Sequence, residues 1–221
     1  MRPWLAIDSA TDQASVAVMA EGALAERAWR SGRNHTTELT AAVAGVLAEA
    51  RTSSSELQGI AVAIGPGSYT GLRIGLALAK GMALATGATV IGVPTLHALA
   101  AALSPPMTER GLPLHAMLRA GRGRIAAVAY PPEAALWPRA DEAVAWSLEE
   151  WLNVHRPPGW VAGELEPDEV AAVRAVGFRV PPQAAMTRRA AFLIDLAVSA
   201  LSESPCGLEE LVPSYLGRGP G

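Results

Sequence analysis

The stretch Gly65-Pro66-Gly67-Ser68-Tyr69-Thr70-Gly71-Leu72-Arg73-Ile74-Gly75 decides the fold. Before it, Gly59 to Ile64 is a short apolar run of strand length, and after it Ser68 to Thr86 reads as one long helix. A buried strand that enters a glycine turn and leaves as a helix is an α/β feature. Unpaired amides and the helix dipole at such a start attract anions. Gly65, Gly67, Ser68 and Thr70 are therefore candidate nucleotide- or anion-binding residues. The spacing is G-x-G-x-x-x-G, which matches neither the dinucleotide fingerprint nor a P-loop with its Gly-Lys-Ser/Thr. The plain alternative is a tight turn with Ser68 capping the helix.

The helix is unusual in its own right. From Tyr69 to Thr86 its only charges are Arg73 and Lys80, and Ile74, Leu76, Leu78, Met82 and Leu84 point in several directions. A helix apolar nearly all round is normally covered on more than one side. Gly71, Gly75, Ala79 and Ala83 recur at i, i+4 spacing, a small-residue stripe that lets another backbone come close. Packing within the chain would account for it. So would a protein interface, for which about 800 Å² per partner is usual.

Working outward, Trp4 to Ile7, Ala14 to Met19 and Leu24 to Trp29 read as a three-stranded meander, its first turn running from Asp8 to Asp12. A helix beginning at His35 carries Leu39, Val43, Val46 and Leu47 on one face. Thr89 to Val93 is a further strand and Pro94 to Leu103 a helix with Pro at its start. Ser104-Pro105-Pro106 and Gly111 to Pro113 look like a connection between lobes. The reading divides the chain into a first lobe, 1–103, and a smaller second lobe, 104–221. The latter holds a hairpin around Ala120-Gly121-Arg122-Gly123, helices at 147–154, 168–176 and 187–201, and a strand at Trp160-Val161-Ala162. The expected class is α/β, two lobes each with a mixed sheet and packed helices. The last helix is placed in the second lobe, with packing back onto the first lobe left open.

Composition narrows the functions. The chain has 221 residues, half of them hydrophobic and 18% charged, with net charge −3. That lacks the basic excess of an unaided RNA binder. No apolar run reaches the ~18 residues of a membrane span, and Asp8 interrupts the N-terminal apolar run too early for an export signal. One cysteine, Cys206, permits no internal disulfide and fits a reducing cytoplasm; it reads as a small hydrophobe. Lys80 is the sole lysine among 18 basic residues.

Among chemistry-bearing residues, Asp8 ends the first strand and, with Thr11, could hold a metal–phosphate complex or make an Asx turn. His35, His97, His115 and His155 show no paired ligand spacing, and no G-x-S-x-G elbow is present. No metal site and no catalytic residue are expected. Arg119, Arg122 and Arg124 crowd the second hairpin, where they could meet RNA or simply solvent.

Three segments carry a family resemblance: Leu5-Ala6-Ile7-Asp8-Ser9-Ala10-Thr11, Asn34-His35-Thr36, and the 65–75 stretch. Together they resemble the bacterial TsaB (YeaZ) family, closely over the first hundred residues and faintly again at Pro213-Ser214-Tyr215-Leu216. The resemblance implies an actin-like ATPase (ASKHA) fold. It implies a non-catalytic, glycoprotease-like (M22) paralogue of TsaD, which it binds for threonylcarbamoyl transfer to N6 of adenosine 37 in tRNAs reading ANN codons. Implied partners are TsaD as a heterodimer and TsaE, a homodimer when TsaD is absent, and tRNA only through the complex. No cofactor is implied for the isolated subunit, while ATP or ADP and a metal are expected in the complex. The interface implied is the pair of first-lobe helices, hence His35, Leu39, Val43, Gly71, Ile74, Gly75, Leu78, Ala79, Met82 and Ala83.

The H-x-x-x-H metal pair of TsaD-like proteins falls here at Thr95 and Leu99, which cannot supply two imidazoles; metalloprotease activity is not expected. The family's Ile-Asp-Ala-Arg segment reads Leu118-Arg119-Ala120-Gly121, and its arginine after Pro-x-Tyr-Leu is Gly217, with Arg218 next. A competing expectation is a small ASKHA-type ATPase or kinase that holds Mg–nucleotide between the Asp8 turn and the Gly65–Gly71 turn. A third is direct RNA binding through the three hairpin arginines.

Overall fold

A computed structural model describes residues 2–32, 35–108, 111–131, 143–201 and 207–216. The first sheet is built from β1 (Trp4–Asp8), β2 (Gln13–Ala20), β3 (Ala23–Arg30), β4 (Gly59–Gly65) and β5 (Thr89–Pro94) in the order β3-β2-β1-β4-β5. The meander is antiparallel, whereas β1, β4 and β5 run parallel because a helix separates each from the next. Those helices are α1 (His35–Glu49) and α2 (Tyr69–Thr86), and both cover one face. Leu5, Ile7, Val16, Val18, Ile60 and Val62 meet Leu39, Val43, Val46 and Leu76 there. The alternate residues of the same strands, Trp4, Ala6, Ala17, Ala61 and Ala63, face the other side and pack on α6 (Ala191–Ala200). Period-two alternation thus explains both layers.

The second sheet holds β6 (Leu114–Arg119), β7 (Ile125–Tyr130), β8 (Val144–Trp146) and β9 (Trp160–Gly163) in the order β8-β7-β6-β9. It repeats the first four positions of the first sheet, with β6 and β9 parallel, and a single parallel bridge, Trp160 to Arg179, stands where a fifth strand would. α3 (Thr95–Thr108) covers one face and contributes Leu96, Leu99 and Leu103. α4 (Leu148–Val154) and α5 (Pro167–Ala175) cover the other, around Trp151 and Val173. This is the two-lobed, mixed-sheet architecture of the actin-like ATPase fold.

Two segments differ from expectation. α3 runs on through Ser104, Pro105 and Pro106 instead of giving way to a connector. Each proline there lacks the amide that would bond the carbonyl four residues upstream, which is why the sequence reads as a break at this point. The last helix starts at Ala191, not Thr187; Thr187 to Ala190 are non-helical, because Arg188 is drawn into the space between the lobes. β8, a strand of three residues, has too short an apolar run to register in the sequence. Cys206, Gly217 and Arg218 lie outside the described residues, as does the side chain of His35.

Candidate functional site: the interlobe seat and the outer helix face

The glycine turn serves the turn that follows β1. Ser68 N–H donates to Ala10 O at 2.5 Å, and Ser9 Oγ donates to Gly71 O at 2.9 Å. A Cβ on Gly67 would lie 2.4 Å from Ala10 O, one on Gly71 2.1 Å from Ser9 O, and one on Gly75 2.4 Å from Ser9 Oγ. No side chain tolerates such distances, so Gly67, Gly71 and Gly75 record the contact line between α2 and the first turn, while a Cβ on Gly65 would strike Ser214 O. Ser68 Oγ accepts from Gly71 N–H at 3.3 Å, capping the helix. Thr70 is exposed. Gly65 N–H donates to Thr95 Oγ1 at 3.1 Å, and Leu99 is buried in the core between α3 and β6. The two positions that align with the metal pair are therefore structural here.

Asp8 and Thr11 are buried. Ala10 N–H donates to Asp8 Oδ1 at 3.0 Å, the Asx-type bond. Asp8 Oδ2 accepts from Arg188 Nε at 2.8 Å. A second nitrogen of Arg188 binds Glu164 Oε1. The third donates to Thr11 Oγ1 at 2.9 Å and Gln13 O at 3.0 Å. Thr11 Oγ1 also donates to Glu164 Oε1 at 2.5 Å. Glu164 Oε2 accepts from Arg119 N–H at 3.0 Å. Burial disfavours the charged guanidinium, but Asp8 and Glu164 together outweigh it and hold Arg188 above the ordinary arginine range. Gly163, at φ 134°, lets β9 turn so closely under β6 that Glu164 reaches this point.

Sequence reasoning found Asp8 and Thr11 but missed Glu164 and Arg188. Glu164 follows β9 as Asp8 ends β1, both at carboxyl ends of parallel strands, where α/β proteins place polar functional groups. That parallel was the available signal; nothing in Thr187-Arg188-Arg189 marks one arginine as buried.

Alongside the seat, a cleft of about 490 Å³ is lined by Asp12, Glu164 and Glu166 and by Arg30, Arg119 and Arg174. Its charge is balanced, with Arg119 forked onto Glu169 and near Glu166. Arg124 binds Ala145 O at 2.6 Å. Of the three hairpin arginines only Arg122, at φ 54°, extends freely from the turn among the contacts described.

A Mg–nucleotide does not fit these residues. The Asp8 carboxylate is spent on Ala10 and Arg188, the Ser68 amide is spent on Ala10, and the space a phosphate would take between Gly67 and Ala10 is closed. Among the described residues no group of three or more His, Cys, Asp or Glu converges as metal ligands. His97 Nδ1 meets Tyr130 Oη at 3.1 Å, His155 stacks on Trp151, and His115 is buried against Trp151 and Phe178.

The helix pair needs a correction. Leu39, Val43, Gly71, Gly75, Ala79 and Ala83 are buried within the subunit. Ile74, Leu78 and Met82 are half-buried against the same core. Gly71 lies against the Ser9 carbonyl and Gly75 against the side chains of Ser9 and Ile7, so this part of the small-residue stripe packs on the chain's own first strand and turn. The outward face of α2 is Arg73, Ala77, Gly81, Leu84 and Ala85, and α1 beside it exposes Thr40, Ala41, Ala44 and Ala48. Leu84 is 78% exposed. A Cβ on Gly81 would meet nothing within 4 Å. At the edge of this face Tyr69 stacks on Tyr215 at 5.4 Å, with Arg73 over the Tyr69 ring and bonded to Tyr215 Oη at 3.2 Å.

This topology and the strand–turn–helix signature have relatives. The family model for TsaD, tRNA N6-adenosine threonylcarbamoyltransferase, matches residues 26–212. The chain belongs to this family, in its TsaB/YeaZ branch. The tRNA threonylcarbamoyladenosine biosynthesis protein TsaB of Escherichia coli strain K12 is 38% identical over 96 residues, 43% of this chain and 42% of that protein. The Bacillus subtilis protein of the same description is 37% identical over 98 residues, 44% of this chain and 43% of that one. The matched stretch is thus less than half the length of these curated relatives. The solved structure of YeaZ from Pseudomonas aeruginosa superposes with a TM-score of 0.77 over 98% of this chain and all of that one, at 24% identity, a likeness of fold. Among the described residues no helix of this TsaB/YeaZ-family chain is long and apolar enough to cross a membrane.

Proposed function

We propose that the chain is a non-catalytic cytoplasmic subunit that binds TsaD and supports threonylcarbamoyl transfer to N6 of adenosine 37 in tRNAs reading ANN codons. The observation that carries this reading is the outward face of α1 and α2. It is made of Ala41, Ala44, Ala48, Ala77, Gly81, Leu84 and Ala85, with Arg73 at one edge. An exposed mid-helix glycine costs about 1 kcal/mol relative to alanine, and among the described residues nothing requires Gly81. A second backbone closing on that face would. The filled interlobe seat and the structural duties of Thr95 and Leu99 support the absence of chemistry in this subunit, and leave ATP or ADP and the metal to the partner complex. TsaE joins that complex, tRNA is reached through it, and the same face pairs two copies when TsaD is absent.

The experiment is size-exclusion chromatography of the protein mixed with its cognate TsaD, together with a tRNA modification assay. The wild type co-elutes and raises modification, and Leu84→Arg does neither while keeping its thermal midpoint. Equal modification by TsaD alone, or co-elution of Leu84→Arg, overturns the reading.

A further inference from the structure

Asp8 closes β1 of the first lobe and Glu164 follows β9 of the second. Between them stands one buried cation, the Arg188 guanidinium. Its acceptors are Asp8 Oδ2, Glu164 Oε1, Thr11 Oγ1 and Gln13 O, all oxygen. The remaining carboxylate oxygens are held by the backbone amides of Ala10 and Arg119, each at 3.0 Å. Without the guanidinium the seat would be shaped and doubly negative. Oxygen-lined acidic seats of this kind take hard cations and, through them, phosphates. Here the chain fills the seat itself.

Two further observations bear on what the seat prefers. Each of the three guanidinium nitrogens has its own acceptor, a planar fork that neither an ammonium nor a spherical ion reproduces. The adjacent Arg189 is fixed separately on Glu26, and Ala191 N–H donates to the same carboxylate at 3.0 Å. The backbone that delivers Arg188 is thereby anchored without help from Arg188.

We propose that Arg188 is a built-in cation that permanently fills the interlobe seat of Asp8, Thr11 and Glu164. It fastens the two lobes at one angle with no Mg–nucleotide, and shortening it uncovers a site selective for a guanidinium-type cation. This goes beyond the partner-binding reading and does not depend on it, since every test uses the subunit alone.

Thermal unfolding of the wild type and of Arg188→Ala is followed with methylguanidinium, its neutral isostere N-methylurea, and potassium chloride at matched millimolar concentrations. Arg188→Ala unfolds at lower temperature and recovers saturably with methylguanidinium only, while the wild type responds to none of the three. An unchanged midpoint in Arg188→Ala, or recovery that N-methylurea or potassium chloride matches, overturns the proposal. Should Arg188→Ala not fold, Arg188→Lys carries the test by amide hydrogen exchange. The amides of Ala10 and Arg119 then exchange at least roughly tenfold faster than in the wild type, with those of α5 unchanged; equal exchange overturns it. Titration of the wild type with Mg–ATP gives no saturable heat, and a saturable heat abolished by Asp8→Asn overturns the claim that the seat is closed to nucleotide.

Discussion

Arg188 Nε donates to Asp8 Oδ2 at 2.8 Å across 180 positions of sequence, with both side chains almost wholly buried. The pair and its third member, Glu164, show where the fold keeps its polar interior. Burying three charges stabilises little in itself, because desolvation cancels most of the attraction. Removing Glu164 is different, since it strips the acceptor from an Arg188 nitrogen, the Thr11 hydroxyl and the Arg119 amide and leaves these buried donors unpaired.

Glu164→Ala is therefore expected to cost about 3–5 kcal/mol, read from urea unfolding at neutral pH. Glu164→Gln keeps an acceptor for the Arg119 amide and costs less. Equal stability of Glu164→Ala and the wild type would show that the buried ion cluster does not form.

On α2 the two faces separate packing from association. Ala79 has no exposed surface, so Ala79→Arg leaves an unpaired buried charge and gives an unfolded or aggregated product. Leu84→Arg lies in solvent and changes stability by less than about 0.5 kcal/mol. Circular dichroism and gel filtration of the pair distinguish them directly.

Gly81→Ala should raise stability by about 1 kcal/mol, because its Cβ meets nothing and the helix gains propensity. The same substitution weakens TsaD binding if a second backbone closes on that position, as isothermal titration would register. Gly71→Ala, whose Cβ would strike Ser9 O at 2.1 Å, instead destabilises strongly.

His115 gives the second lobe a pH dependence. Burial, and secondarily the charge of His155, lowers it from 6.5 to about 4. The unfolded chain takes up its proton near pH 6.5, whereas the folded chain does so only near pH 4. The stability that His115 contributes is thus fully present above pH 6.5 and is lost as pH drops to 4, by about 3 kcal/mol. A His115→Phe variant should show a flatter stability profile across that window; an identical slope would refute the assignment.

How much of this was legible follows from where each signal resides. The strand–turn–helix at 59–86 announces itself through local periodicity and glycine placement, and so does the β-β-β-α-β-α-β order. The face that α2 presents does not, because the residues it exposes, Ala77, Gly81, Leu84 and Ala85, are as apolar as several of those it buries. Ser9 and Ile7 decide that Gly71 and Gly75 face inward, and they are some sixty residues away. Glu164 and Arg188 stayed hidden for the same reason. A buried charge is recognised by its partner, and each of these has a partner in the other lobe or across most of the chain.

The layer beneath the first sheet has a consequence for biosynthesis. Trp4, Ala6, Ala61 and Ala63 are roofed by α6, and Ser214 N–H latches onto Ile64 O at 2.6 Å. The last strand of that sheet closes at Pro94, roughly a hundred residues before its roof exists. At ~5–20 residues per second of translation, the nascent sheet stands with one greasy side bare for roughly 5–20 s. Chaperone capture during synthesis should therefore concentrate on chains longer than the first lobe and shorter than α6, and a fragment ending near residue 103 should need a detergent or a supplied α6 peptide to stay in solution.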